Sequence, residues 1–159
     1  MRRKDREVTQ IEEILRIAGK AKILHLALFD EGYPYIVPLH YGYEYTDGNL
    51  VFFCHSAKEG HKIDRIRKDP HVGVELECDI TPVSGGEVPC RYGSAYSSLI
   101  GRGTAELVRD GEEKIHGLEL LMKNQTGKDF PFSEQMASSV EVIKLTIRDF
   151  TAKARKIQE

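Results

Sequence analysis

The sequence predicts a mixed β/α domain built on an antiparallel barrel with flanking helices. Three observations carry this prediction. Short apolar runs are divided by hairpin turn chemistry, only three amphipathic helical stretches interrupt them, and the order is helix, three strands, helix, two strands, helix, strand. That order lacks the regular strand–helix alternation of a doubly wound parallel sheet. A chain of 159 residues, 40% hydrophobic and 30% charged, can bury one sizeable core, so a single domain over 1–159 is expected. A net charge of -2 and a pI near 6.3 give no reason to expect nucleic acid or an anionic membrane as partner. No apolar signal region follows the charged residues 1–7 and no run reaches the length of a membrane span, so the expected location is cytoplasmic. Cys54, Cys78 and Cys90 form no CxxC pair and leave one thiol over, as expected of free cysteines in a reducing compartment.

Thr9 and Glu12 have capping-box spacing, and Ile11, Ile14, Leu15 and Ala18 recur at helical spacing up to Gly19, which predicts a short first helix. The apolar run 23–29, closed by Asp30-Glu31-Gly32, reads as a buried strand and hairpin; His25 within it is expected to be a hydrogen-bonded structural residue. Residues 33–45 return as a β-rich segment with two prolines. Pro38 cannot donate to a ladder, so an edge, a bulge or an opening of the sheet is expected there, with Leu39 and His40 offering backbone groups to a flat ligand. Thr46-Asp47-Gly48-Asn49 is a hairpin turn into the strand 50–54.

That strand runs into the most informative stretch. Ser56 and Glu59 form a Ser-x-x-Glu pattern that predicts a helix from Ala57, with Lys58 and Lys62 on one face and His55 beside them. Free N–H groups and a positive dipole at a helix start suit a phosphate. After Pro70, alternating Val72, Val74 and Leu76 predict a half-buried strand whose Gly73, Glu75 and Glu77 face water. Residues 79–93, with prolines and glycines and no apolar period, are expected to form a long loop of the kind that serves as a lid. The strand 96–108 carries Gly101 and Gly103, which predict a bulge. A helix over 112–125, a polar linker over 124–139 and a last strand over 140–147 complete the chain.

Nucleophile-elbow, dinucleotide-fingerprint and phosphate-loop motifs are absent. Cys54, His55 and His61 match no common zinc spacing, and no metal is expected. The surviving parts, an anion-binding helix start between a proline-interrupted strand and a glycine-marked one, suit a phosphorylated cofactor.

Tyr-Pro-Tyr-Ile-Val-Pro-Leu-His-Tyr-Gly-Tyr at 33–43, His-Ser-Ala-x-Glu-Gly-x-Lys at 55–62 and Tyr-x-Ser-x-Ile-Gly-x-Gly at 96–103 resemble the FMN-binding split barrels related to pyridoxamine 5'-phosphate oxidase. Within them the nitroimidazole-resistance (Nim) group is the most similar branch. The resemblance implies a six-stranded antiparallel split β-barrel, a homodimer, and one flavin mononucleotide in each of two clefts between subunits. It places Pro38, Leu39 and His40 along the flavin ring, His55 near ring and substrate, Ser56 and Lys62 at the phosphate, and Ser98 completing the site. The implied activity is flavin-dependent reduction of a small acceptor such as a nitroimidazole or other nitroaromatic, with His55 as the catalytic proton donor. The rival reading is a non-catalytic flavin- or haem-binding module of the same fold. The chain departs from many relatives in having Ser97 in place of an arginine, which removes a contact to an anionic group, and Thr151-Ala152-Lys153 in place of Thr-Gly-Lys.

Overall fold

The computed structural model describes residues 3–156. In chain order the elements are β1 (Glu7–Val8), α1 (Ile11–Lys20), β2 (Leu24–Asp30), β3 (Tyr33–Leu39), β4 (Tyr41–Thr46), β5 (Asn49–Ser56), α2 (His61–Lys68), β6 (His71–Val83), β7 (Gly93–Leu107), α3 (Gly111–Thr126), α4 (Glu134–Ser138) and β8 (Glu141–Arg155), with 3-10 turns at Lys4–Arg6 and Pro89–Arg91. Seven strands form one antiparallel sheet in the order β3-β2-β6-β7-β8-β5-β4, and β1 adds to β8. The first and last strands of this order are joined by His40 alone. The sheet must therefore curl until its two edges meet. It stays unclosed there, because β3 pairs only with β2 and β4 only with β5. Pro38 lies in this edge strand, where its missing N–H costs no ladder bond.

The fold class matches the sequence reading. The expected count of six strands becomes eight because the segment 33–45 changes pairing partner at His40 and β1 joins the edge of β8. Several boundaries differ. The first helix has Gln10, not Thr9, at its cap with no side-chain bond, and it runs through Gly19 to Lys20. The expected loop 79–93 is shortened at its start: a bulge between Cys78 and Thr81, with Asp79 at φ 58°, lets β6 resume to Val83, leaving 84–92 as the connection. The linker 124–139 contains α4, capped by Ser133, and the last strand extends to Arg155. Both extensions follow from pairing with β7, a tertiary effect that apolar periodicity does not carry. The hairpin turns at Glu31-Gly32 and Asp47-Gly48 take positive φ at both central residues, the geometry that suits the twist of two-residue hairpins.

Alternation turns Leu24, Leu26 and Leu28 of β2, Phe52 and Cys54 of β5, Val74 and Leu76 of β6, Leu99 of β7 and Leu145 of β8 into the barrel. Ile14, Ile17 and Ala18 of α1 and Ile63 and Ile66 of α2 fill the same core. The buried Tyr41 hydroxyl ties down the end of α1, sharing its one proton between the Ala18 carbonyl at 2.6 Å and that of Ala21 at 2.9 Å. Arg16 and Lys20 hold Asp79 at the bulge, and these contacts keep its carboxyl well below the usual carboxylate range. Outside the barrel, α3 and α4 cover β4, β5 and β8 around Val51, Phe53, Leu118 and Val142. No described helix covers the outer face of β3, β2, β6 and β7, which exposes Phe29 (67%), Ile36 (58%) and Ile100 (55%). Among the described residues no helix is long and apolar enough to cross a membrane.

Gly101 and Gly103 flank a register shift between Arg102 and Gly103, where the predicted bulge lies. A Cβ at Gly103 would land on the Thr146 carbonyl oxygen of β8. Gly103→Ala should therefore lower unfolding stability in urea by about 1–3 kcal/mol, the usual cost of overpacking; a midpoint unchanged from wild type would show that the strands part there without cost.

Candidate functional site

The unclosed seam gathers most of the residues singled out in the sequence. Tyr41 pairs with Cys54 at the end of the β4–β5 ladder, so His40 and His55 stand one position beyond that last pair. Pro38 and Leu39 pair with His25 and Leu24 of β2, leaving the other edge of β3 free along the seam. Cys54 faces the core, where burial pushes its thiol up to about 12, with Lys62 close enough to pull partly against the shift. It is neither a nucleophile nor a metal ligand there. His55 points to the other face of the strand and is exposed.

The capping box at Ser56 is not formed. Ser56 is the last residue of β5, and α2 begins four residues after the expected Ala57, at His61, with Gly60 as N-cap and no side-chain cap bond. Lys58 and Glu59 lie in the exposed connection, so Lys58 does not share a helix face with Lys62. The shift has a physical cause. Asp30, in the β2–β3 hairpin, accepts from His61 Nε2 at 2.6 Å and from Arg65 at 2.9 Å, and Tyr35 meets the His61 ring edge-on, which pins the first turn of α2 against β2 and β3. Gly60 reaches this turn with φ 132°, and no atom lies within 4 Å of where a Cβ would stand. A bare backbone in open space, with the His61 and Lys62 N–H groups lacking intrahelical acceptors and a lysine, Lys62, in the same first turn, is a fit for a phosphate. Next to it Ser56 pairs with Glu141, a buried carboxylate offset by Lys114 at 3.3 Å and Arg109 at 3.2 Å, so no unbalanced negative charge opposes an anion at the strand end.

Ser98 does not join this cluster within one chain. It lies on β7, which pairs with β6 and β8 and not with β3, β4 or β5, the strands that bring the seam residues together. Ser97 is buried and donates to Asp79 at 3.2 Å, with Arg16 of α1 at 3.4 Å. The position where many relatives carry arginine thus faces the core, beside a guanidinium supplied by another element. Sequence reasoning missed Asp30 as the anchor of α2, since nothing local links it to residues more than thirty positions later. It also missed the grouping of His25 with Glu75 and Glu77, although the outward alternation of the two glutamates was the available signal. Burial, and then Glu77, raise the Glu75 carboxyl above its ordinary value against the pull of His25. A cleft of about 840 Å³ lies between Arg3, Arg6 and Arg155 and shares none of the seam residues.

A family model described as pyridoxamine 5'-phosphate oxidase matches residues 10–154. Among solved structures, a candidate 5-nitroimidazole antibiotic resistance protein from Bacteroides thetaiotaomicron superposes with a TM-score of 0.77 at 28% identity, over 93% of this chain and 86% of that one. A FAD- and haem-binding protein from Mycobacterium smegmatis superposes at 0.78 with 16% identity over 96% and 74%, and a FAD-binding protein from Mesorhizobium loti at 0.63 with 22% identity over 95% and 98%. No curated protein matches the chain significantly.

The Asp30 anchor sets a pH dependence. The bond from His61, then the charges of His61 and Arg65, lower the Asp30 pKa, so its stabilising contribution is present above the unfolded carboxyl value of about 3.9 and is lost as pH falls through the lower folded value. Asp30→Asn should remove that part of the acid dependence below about pH 4 while loosening the start of α2. Acid titration of both proteins by circular dichroism checks this; superimposable curves would mean that Asp30 holds nothing.

Proposed function

Because the chain belongs to the pyridoxamine 5'-phosphate oxidase family, we propose that it binds a flavin, specifically FMN, at the seam and reduces a small acceptor with it, a nitroimidazole or other nitroaromatic being the leading class. The observation that carries this reading is the convergence of Pro38, Leu39, His40, His55 and Ser56 at the seam, beside a helix start whose free N–H groups and Lys62 fit a phosphate. The Bacteroides protein, similar over most of both chains, supports the acceptor class. FMN ends in a single phosphate, and the site offers one helix start and one nearby half-buried lysine, which favours the mononucleotide over a dinucleotide.

In this reading the free edge of β3 along Pro38, Leu39 and His40 receives the flat ring, Lys62 and the first N–H groups of α2 hold the phosphate, and the Ser56 hydroxyl adds a hydrogen bond. When bound, the flavin supplies hydride equivalents. His55, exposed at the end of β5, donates a proton to the acceptor oxygen as negative charge builds there. The uncovered face of β3, β2, β6 and β7, with Phe29, Ile36 and Ile100 exposed and a concavity of about 460 Å³ beside Phe29, Tyr33 and Gly73, supports a homodimer through that face. Ser98 of β7 stands on this same face, opposite Glu77, and in this reading lines the shared cleft.

The purified protein should be yellow, and Lys62→Ala should weaken FMN binding by about 1.5–3 kcal/mol in a fluorescence titration. A colourless protein that quenches no FMN fluorescence would overturn the cofactor, and a haem spectrum instead would favour a haem-binding module. Anaerobic reduction followed by mixing with nitroaromatics, quinones and pyridoxal-type phosphates identifies the acceptor. His55→Ala should slow flavin reoxidation by about 10²–10⁴-fold, equal rates would remove His55 from the mechanism, and no reoxidation by any acceptor would leave a non-catalytic flavin module. Light scattering should give the mass of a dimer, and Ile36→Lys with Ile100→Glu should give a monomer with weaker FMN binding; a monomeric wild type that binds FMN tightly would exclude a shared cleft.

A further inference from the structure

His25 of β2 and Glu75 of β6 form a cross-strand pair, and Glu77, two residues on, shares their outward face. His25 Nδ1 lies 3.1 Å from Glu75 Oε2 and 3.8 Å from Glu77 Oε2, and one ligand atom from each of the three residues falls within 4.8 Å of the others. Donor atoms on a tetrahedral ion with bonds of about 2.0–2.2 Å stand roughly 3.3–3.6 Å apart, so the two measured separations bracket the spacing a metal requires.

A second observation points to a missing cation. Glu77 Oε2, the atom turned toward His25, is cut off from solvent and accepts no hydrogen bond from any described residue. Neither Glu75 nor Glu77 pairs with a lysine or arginine among the described residues, in a chain where Asp30, Asp79 and Glu141 each have at least two cationic partners. The cross-strand neighbours of the three are Pro38, Ile100 and Ser98, which supply no positive charge. Two carboxylates and one imidazole, with one carboxylate oxygen left unpartnered, thus face one another without a matching lysine or arginine.

We propose that His25, Glu75 and Glu77 form a binding site for a divalent transition-metal ion of the zinc type, with its remaining position open to water. The imidazole nitrogen selects such an ion over calcium or magnesium, which take oxygen ligands. The ion takes the Nδ1 lone pair in place of the contact with Glu75, so the bound imidazole carries its proton on Nε2. The strands β2 and β6, already paired through this row, fix all three ligands without help from a loop. The site adjoins the proposed cleft, with Pro38 beside His25 and Ser98 beside Glu77, so FMN titration and light scattering of the same samples show whether a variant has also disturbed the seam or the dimer.

The test is calorimetric titration of the chelator-treated full chain with ZnCl2, alongside Glu77→Gln and His25→Gln. The expected result is one zinc per chain in wild type and binding weakened by about 100-fold or more in each variant, since even the loss of an outer-shell partner costs about 10–100-fold. Zinc should also raise the wild-type thermal midpoint and leave those of the variants unmoved. No binding by wild type, equal binding by wild type and Glu77→Gln, or equal affinity for Ca2+ and Zn2+ would each overturn the proposal. Should Glu77→Gln fail to fold by circular dichroism, His25→Gln alone decides.

Discussion

Everything in this molecule depends on one connectivity constraint: a single residue, His40, joins the two strands that end the sheet at opposite sides. A flat seven-stranded sheet would hold those edges about six strand spacings of roughly 4.8 Å apart, so the ordering is possible only if the sheet rolls round its core. Burial of the aliphatic lining supplies the driving force for rolling. Pro38 removes one donor from the meeting edge, and β3 and β4 each spend their pairing capacity on one neighbour. The result is a barrel with a permanent slot, and the slot, rather than any cavity in the interior, is where polar backbone, imidazoles and a lysine are left together.

How much of this was legible in the sequence follows from the range of the interactions. Turn chemistry at Asp30-Glu31-Gly32 and Asp47-Gly48, the bulge at Gly101–Gly103 and the edge character of the Pro38 strand are local, and each was readable. The start of α2 was misread because a Ser-x-x-Glu pattern is a weak local preference. It yields to the pull of Asp30 on His61 and Arg65, which acts across more than thirty residues of chain. The resumption of β6 past Asp79 fails for the same reason: no apolar period marks residues 79–83, and their strand conformation is imposed by the partner strand β7. The seam residues were readable as a group only through their likeness to a family. Their convergence is a property of the roll, and no spacing within 33–62 encodes it.

The charges are arranged with the same economy. Acidic groups that position elements carry paired cations: Asp79 takes Arg16 and Lys20 and ties α1 to the sheet, while Asp30 takes His61 and Arg65 and ties down α2. Such pairs add little each when exposed, yet they fix the direction in which a helix leaves the sheet, which apolar packing alone leaves loose. The acidic row on the uncovered face departs from this pattern, and its position beside exposed Ile100 and Pro38 sets it apart from an ordinary solvated surface.

The length of β8 has a consequence for how the chain reaches this state. It is the last strand in sequence, yet it pairs with β1, β5 and β7, so it holds together parts of the chain that precede it by up to nearly 150 residues. Until it is made, β5 and β4 form a detached hairpin, and the aliphatics of β5 have no opposite wall. Loop closure over such separations is entropically costly and slows folding. A nascent chain therefore exposes the apolar side of β5 until β8 has been made.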